Sequence, residues 1–228
     1  MKVFSFFLGL ILLIGIIFNY HLIKGNIPKS YIPWELVDLT QPASFFTEYK
    51  LGRLKHDYAM CQTVLDNAGI KYTATGDKNA GSCFLTDQVT IQQSRYPYSA
   101  GVQSQCALAA ALVLWENTVV HPLAEKYFNT DISRITHYGI FSCRNVKGTQ
   151  RLSHHATANA IDIAAFTLKD GQTVSVLNDW GANNKKGQFL QDVFTQSCGI
   201  FKGALGPNYN AAHKNHFHFD LGTWNICR

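Results

Sequence analysis

The chain has 228 residues, 46% of them hydrophobic and 15% charged, which is enough to bury one substantial core in a single globular domain. Its formal net charge of +5 comes from 20 basic and 15 acidic residues scattered without a long Lys/Arg run. That mild excess suits an anionic polymer or a membrane surface and does not argue for a nucleic-acid partner.

Val3 to Tyr20, "VFSFFLGLILLIGIIFNY", is almost entirely apolar and follows Lys2; it is about as long as a bilayer-spanning helix and reads as an export segment. It runs into "FNYHLIKGNIPKSY", which offers no small-residue cleavage site of A-x-A type, so residues 1–22 are expected to remain as a membrane anchor rather than be removed. Lys2 on one side and Lys24 and Lys29 on the other leave the orientation open. The next stretch, "KGNIPKSYIPWELVDLTQPAS", holds three prolines and no helical or alternating period, and reads as a stalk over residues 23–44 that drapes onto the domain. The domain itself is expected to span residues 45–228.

Within it, Leu51, Leu54, Tyr58, Cys61 and Leu65 recur at helical spacing between Thr47 and Ala68, with Asn67 and Gly69 marking the stop, so one amphipathic helix is predicted there. "KYTATGDKNAGSCFLTDQVTI" is rich in Gly, Thr and Asn and ends in alternation, which predicts a loop followed by a strand. From about Ser104 to Phe128 the pattern is apolar almost all round, which indicates a buried central helix that Pro122 kinks or divides. The second half turns strand-like at "RITHYGIFSC", "ANAIDIAAFTL", "QTVSVL" and "NHFHFDL", interrupted by one helical stretch near Lys186 to Cys198. "LKDGQTV" carries the Asp-Gly signal of a tight hairpin. Helices first and hairpin-linked strands afterwards predict an α+β domain with a mainly antiparallel sheet flanked by helices.

All six cysteines, Cys61, Cys83, Cys106, Cys143, Cys198 and Cys227, follow the apolar segment. An even count on the exported side reads as disulfides rather than buried thiols. No two form a C-x-x-C pair, which argues against a thiolate zinc knuckle. Sequential pairing is the expectation among the possible connectivities.

Chemistry concentrates in two windows. On a strand, His216, His218 and Asp220 project to one side and Phe217 and Phe219 to the other, and His213 reaches the same place from just upstream. In "RLSHHATANAIDI", His155 and Asp162 are separated by the small residues Ala156, Ala158 and Ala160. Asp162 lies between Ile161 and Ile163 and needs a cation or metal if it is buried. Hydrolytic zinc takes three ligands from His and carboxylate and keeps a fourth position open. His155, Asp162 and one C-terminal histidine supply that set, and a spare histidine beside the ligand suits a general base. A single histidine is more often a hydrogen-bonded surface residue than a ligand. Two short windows that each join histidine to a strand-borne aspartate reverse that balance.

These residues also carry a resemblance. Ser153-His154-His155 through Asp162, with His216-Phe217-His218, resembles the zinc signature of the D-alanyl-D-alanine peptidase, lysostaphin and Hedgehog superfamily. The longer form His213-x-x-His216-x-His218 is similar to that of penicillin-insensitive murein endopeptidases. "KL" at 50, "YGIFSCRN", "SHHATANAIDIAAF" and "HKNHFHFD" resemble the bacterial extensin-like C-terminal domain family over roughly residues 45–228. The resemblance implies zinc held by His155, Asp162 and His218, with His216 as general base and His213 as a polar helper for substrate or oxyanion. Arg144, in "SCRN", falls where related peptidases place an arginine after a strand and is implied to stabilise the tetrahedral intermediate; a surface ion pair is its plain alternative. The pattern usually has glycine where Ala158 stands. The spacing assigns His155 as the ligand and leaves His154 on the rim or exposed. Ser153 supports a ligand or the loop through its hydroxyl, and Asp220 either orients a histidine or makes an edge ion pair.

The implied function is a periplasmic zinc peptidase tethered to the inner membrane, a D,D-endopeptidase cutting the D-Ala-meso-diaminopimelate amide of peptidoglycan cross-links. The alternatives are a D,D-carboxypeptidase trimming terminal D-Ala, a non-catalytic zinc-containing wall-binding module, and a disulfide-stabilised structural domain.

Overall fold

The computed structural model describes residues 2–24 and 27–228. The N-terminal apolar run forms helix α1 (Lys2–Lys24). Its side chains from Phe7 to Ile17 are largely exposed, a composition that suits an anchor or a signal segment. Residues 27–44 lie on the domain: Ile32, Val37 and Leu39 are buried, and Asn117 Nδ2 donates to the Leu39 carbonyl.

The predicted helix over Thr47–Ala68 is two helices, α2 (Thr47–Leu54) and α3 (Tyr58–Asn67). The break has a local cause: the Asp57 side chain accepts from Met60 N at 2.8 Å, capping a new helix where the apolar spacing alone suggested continuity. Gly69, at φ +68, then turns the chain. The segment expected to open as a loop is instead a strand, β1 (Lys71–Ala80), paired antiparallel with β2 (Cys83–Gln93) through a turn at Gly81. Most of β1 is exposed and its pairing is bulged, so it carries little of the alternation that marks a half-buried strand. A third strand, β3 (Val102–Gln105), completes a sheet in the order β1-β2-β3; it was not foreseen.

The central helix runs through Cys106–Phe128 as α4 (Cys106–Trp115), a five-residue π-helical turn (Glu116–Val120) and α5 (His121–Phe128). All ten residues of α4 are buried. This stretch is long and apolar enough to cross a membrane, but 78% of its most apolar window is buried in the protein, which makes it a core helix. Pro122 lacks an N–H and lies in the first turn of α5. The π turn just before it is where the helix absorbs the irregularity, so proline divides the helix without ending it.

β4 (Ile132–His137), β5 (Ala160–Leu168) and β6 (Thr173–Ser175) follow. Next come α6 (Val176–Asp179) and α7 (Lys185–Ser197), then β7 (Gly203–Leu205), β8 (Phe217–Asp220) and β9 (Ile226–Cys227). The second sheet has the order β4-β5-β8-β7-β9, with β6 also on β5. All its pairings are antiparallel except β7 with β9. The Asp-Gly hairpin joins β5 to β6, with Gly171 at φ +87. Phe217 and Phe219 point to the helical side, where Phe219 meets Trp115 and Phe201 and Phe217 meets Trp180 and Phe194. The mixed α+β architecture leaves the opposite face of β5 and β8 for polar residues.

Three disulfides join Cys61 to Cys106, Cys83 to Cys143 and Cys198 to Cys227. Only the last follows sequential pairing. Cys61 faces inward from α3 onto the start of α4, while Cys83, at the end of the β1–β2 turn, meets the loop after β4, so packing overrides chain order.

The π turn also buries Glu116 completely. Its carboxylate accepts from Ser94 Oγ at 3.0 Å, Arg95 N at 3.0 Å and Tyr98 Oη at 2.7 Å. Burial is the larger influence and, against those bonds, holds its pKa up at about 7 from an ordinary 4.5. Between these values the folded chain keeps a proton that the unfolded chain releases. The contribution of Glu116 to stability is therefore complete below pH 4.5 and lost as the pH rises through about 7, a difference of about 3 kcal/mol. Urea unfolding across pH 5–8 should show wild type losing stability relative to Glu116→Gln as pH rises; parallel curves contradict this.

Candidate metal centre

Antiparallel pairing sets Asp162 of β5 directly opposite His218 of β8, and the alternation that buries Ile161, Ile163, Phe217 and Phe219 beneath the sheet turns both polar side chains to its other face. His155 arrives from a short 3-10 turn, His154–Thr157, whose N-cap Ser153 accepts from His155 N at 3.3 Å. Ala158 ends that turn in the left-handed region at φ 52, a conformation that costs an L-residue roughly 1 kcal/mol and that glycine adopts without that penalty.

The three predicted ligands converge. His155 Nε2 lies 3.2 Å from Asp162 Oδ1 and 3.1 Å from His218 Nδ1, and His218 Nδ1 lies 3.0 Å from the same oxygen. Each imidazole has its outer nitrogen on an acceptor: His155 Nδ1 is 2.8 Å from the Ile140 carbonyl, and His218 Nε2 is 3.0 Å from Asp220 Oδ2. Those acceptors can only receive hydrogen bonds, which fixes the tautomers and turns one lone pair of each ring inward. Two inward nitrogens and a carboxylate oxygen then face one another, an arrangement that a proton on His218 or a metal ion between them balances. Ligands of a tetrahedral zinc, about 2.0–2.1 Å from the metal, are separated by about 3.3 Å. The observed separations fit such an ion closely.

The electrostatics agree. Burial works against ionising Asp162, yet hydrogen bonds from His155 and His218 hold its carboxyl far below the usual range. Burial also opposes charge on His218, but the Asp162 and Asp220 carboxylates override it and raise the imidazole to about 9. Either a proton on His218 or a cation among the three donors balances the carboxylate of Asp162.

Asp220 is the outer support of the site. Besides His218, its carboxylate accepts from Gly222 N at 2.6 Å, and it sits so tightly against Gly203 and Gly222 that a Cβ on either would collide with it. His154, expected on the rim or exposed, lies half-buried on this outer side, its Nε2 3.9 Å from Asp220 Oδ1. If the three donors hold a metal ion, Asp220→Ala is expected to weaken its binding about 10–100-fold with the fold intact. Titration against a chromogenic chelator checks this, and unchanged affinity removes the supporting role.

The remaining predicted residues lie beside the cluster. His216 Nε2 is 3.5 Å from Asp162 Oδ1, while its Nδ1 is bonded to Asn215 Oδ1 at 3.0 Å. Burial is the main cause that lowers its pKa, with the charges of His218, His155 and Arg144 adding to the effect against Asp162. His213 stacks near both neighbours, its ring centre 5.2 Å from that of His216 and 5.9 Å from that of His218. Its Nδ1 is held by Asn210 Oδ1 at 2.8 Å, and burial followed by the charges of His216 and His218 lowers it to about 4. Arg144 is exposed on the loop after β4, and its charge reaches His216.

Sequence reasoning overlooked Asn210, Asn215, Tyr138 and the Ile140 carbonyl. Tyr138 sets its ring edge-on to His216 and its hydroxyl accepts from Asn215 Nδ2 at 3.4 Å. The asparagines carried a signal, standing three residues before His213 and next to His216; the carbonyl carried none. Among the described residues a second His/Asp/Glu group, His121, Glu125 and Asp131, also gathers. There Asp131 Oδ1 already accepts from Tyr96 Oη, Ile132 N and His121, which leaves that oxygen committed to its own turn.

Compared with known proteins, residues 59–228 match the family model described as extensin-like protein C-terminus. No curated protein matches the chain. No solved structure matches it either.

Proposed function

This chain belongs to the extensin-like protein C-terminus family, and from that premise we propose that it is a zinc-dependent peptidoglycan hydrolase. It cuts the amide between D-alanine and meso-diaminopimelate in cross-linked stem peptides, at the periplasmic face of an inner membrane that holds α1. The observation that carries the reading is the convergence of His155, Asp162 and His218 within 3.2 Å beside a histidine that is not part of the triad. The three disulfides suit an oxidising compartment, and the exposed apolar side chains of α1 suit attachment to a bilayer.

His155, Asp162 and His218 would hold the zinc, which supplies Lewis acidity toward the scissile carbonyl and a water acidified to roughly pKa 7. The protein's own residues move the proton and hold the substrate. His216 is bonded through Nδ1 to Asn215, so its Nε2 carries the free lone pair toward the centre. Its lowered pKa keeps it neutral and ready to accept a proton from the attacking water. The same nitrogen returns that proton to the departing amine as the C–N bond breaks and the C–O bond remains. His213, neutral at physiological pH, hydrogen-bonds the substrate, and Arg144 offers fixed positive charge to the developing oxyanion.

Incubating the chain with cross-linked muropeptides, with and without chelator, and weighing the products tests this. Chelator-sensitive loss of dimers is the expected result. Loss of one alanine from pentapeptides instead identifies a carboxypeptidase. Stoichiometric zinc without any new amine identifies a wall-binding module, and no stoichiometric metal overturns the zinc reading.

A further inference from the structure

Of the three disulfides, Cys83–Cys143 is the one whose loop builds the metal centre. Cys61–Cys106 is buried between helices α3 and α4, and Cys198–Cys227 ties the end of α7 to β9. Cys143 is exposed and stands in the irregular segment between β4 and the turn that carries His155.

Successive backbone groups of this segment grip both halves of the first motif. Tyr138 N donates to the Asp162 carbonyl at 2.8 Å, and Asp162 N donates to that of Gly139 at 3.2 Å. The Ile140 carbonyl accepts from His155 Nδ1 at 2.8 Å, and Ser142 N donates to the His155 carbonyl at 3.1 Å. Ser153 N donates to the Arg144 carbonyl at 3.0 Å. Thus a short stretch with no regular secondary structure extends the β4–β5 pairing to the backbone of Asp162, sets which way His155 faces and anchors the backbone of Arg144. One covalent bond ties that stretch to β2, closing a chain separation of 60 residues. Without it, Gly139, at φ +143, gives the backbone a ready pivot.

We propose that Cys83–Cys143 is a positioning element of the metal centre: it holds residues 138–144 so that the Ile140 carbonyl orients His155 with Nε2 inward, and its loss lowers zinc affinity while the core stays folded. The inference rests on the zinc reading above. It also makes the chain a weaker zinc binder when this one disulfide is reduced to two thiols.

The test uses the full chain and two double variants, Cys83→Ser with Cys143→Ser, and Cys61→Ser with Cys106→Ser. Zinc dissociation constants come from competition with a chromogenic chelator, and melting temperatures from calorimetry. The expected result is about 10–100-fold weaker zinc binding in the first variant, the effect typical of losing an orienting partner. The second should melt lower yet bind zinc like wild type below its transition. Equal affinity in wild type and the first variant overturns the proposal, as does equal weakening in both variants. Should the first variant not fold, wild-type chain reduced after folding at this bond alone, trapped with iodoacetamide and identified by peptide mapping, supplies the same comparison. Wild type that binds no zinc overturns the hydrolase reading itself, which separates that failure from a failure of the disulfide's role.

Discussion

Replacing His216 with alanine is expected to slow cleavage of cross-linked muropeptides by about 10²–10⁴-fold, the range for losing a positioned general acid–base group, while zinc stays bound at full stoichiometry. The separation of effects follows from the geometry. His216 does not belong to the group of three donor atoms that face one another, so its removal leaves the proposed ligand set complete. What disappears is the one nitrogen lone pair at 3.5 Å from Asp162 that is not needed to hold the ion. Asn215 and Tyr138 hold the ring from its other side, so a substituted side chain of similar size without a basic nitrogen should fare no better than alanine. Initial rates and metal content measured on the same preparation decide the matter: a variant as fast as wild type sinks the proton-transfer role, and one that has lost its zinc moves His216 among the ligands.

Asp162→Ala has the larger effect on binding. The aspartate is the sole negative charge among the three donors, and it receives both His155 and His218. Alanine leaves two imidazole nitrogens 3.1 Å apart, with no carboxylate to balance a divalent ion. Removing an orienting partner costs about 10–100-fold; removing a ligand that is also the balancing charge is expected to exceed that range, so that gel-filtered protein carries no stoichiometric zinc. Asp162→Asn keeps the shape and loses the charge, and the same outcome is expected. Retention of one zinc per chain by either variant would show that Asp162 is not a ligand.

Much of this site was legible in the sequence because strand alternation is a rigid rule. Phe217 and Phe219 had to be buried if His218 and Asp220 were to share the opposite face, and they are. The all-apolar pattern of Cys106–Trp115 marked a central helix for a different reason, since a helix apolar on every side has to be buried, and α4 is buried throughout. What escaped depended on partners rather than period. β1 is exposed and bulged, so the apolar rhythm that announces a strand is missing from "KYTATGDKNA". The break between α2 and α3 turned on a single capping aspartate within an unbroken apolar spacing. Cys61 and Cys106 pair because two helices pack, which chain order cannot tell. His154 reads as a rim or exposed residue, and only β8 and the chain beyond it reveal that it stands half-buried beside Asp220 and Gly222.

The register between β5 and β8 also fixes a chronology. His155 and Asp162 are seven residues apart, but His218 is 63 residues from the first and 56 from the second, and contacts of such long sequence separation carry a larger loop-closure cost. Two nearby donors form only a partial nest for an ion. The third arrives when β8 docks against β5 with Asp162 across from His218, and a slip of one residue would send His218 into the core and a phenylalanine to the ion. If a metal occupies this site as proposed, the full set of three donors exists only once β8 has paired with β5 in this register, so metal uptake during refolding is expected to follow closure of that strand pair.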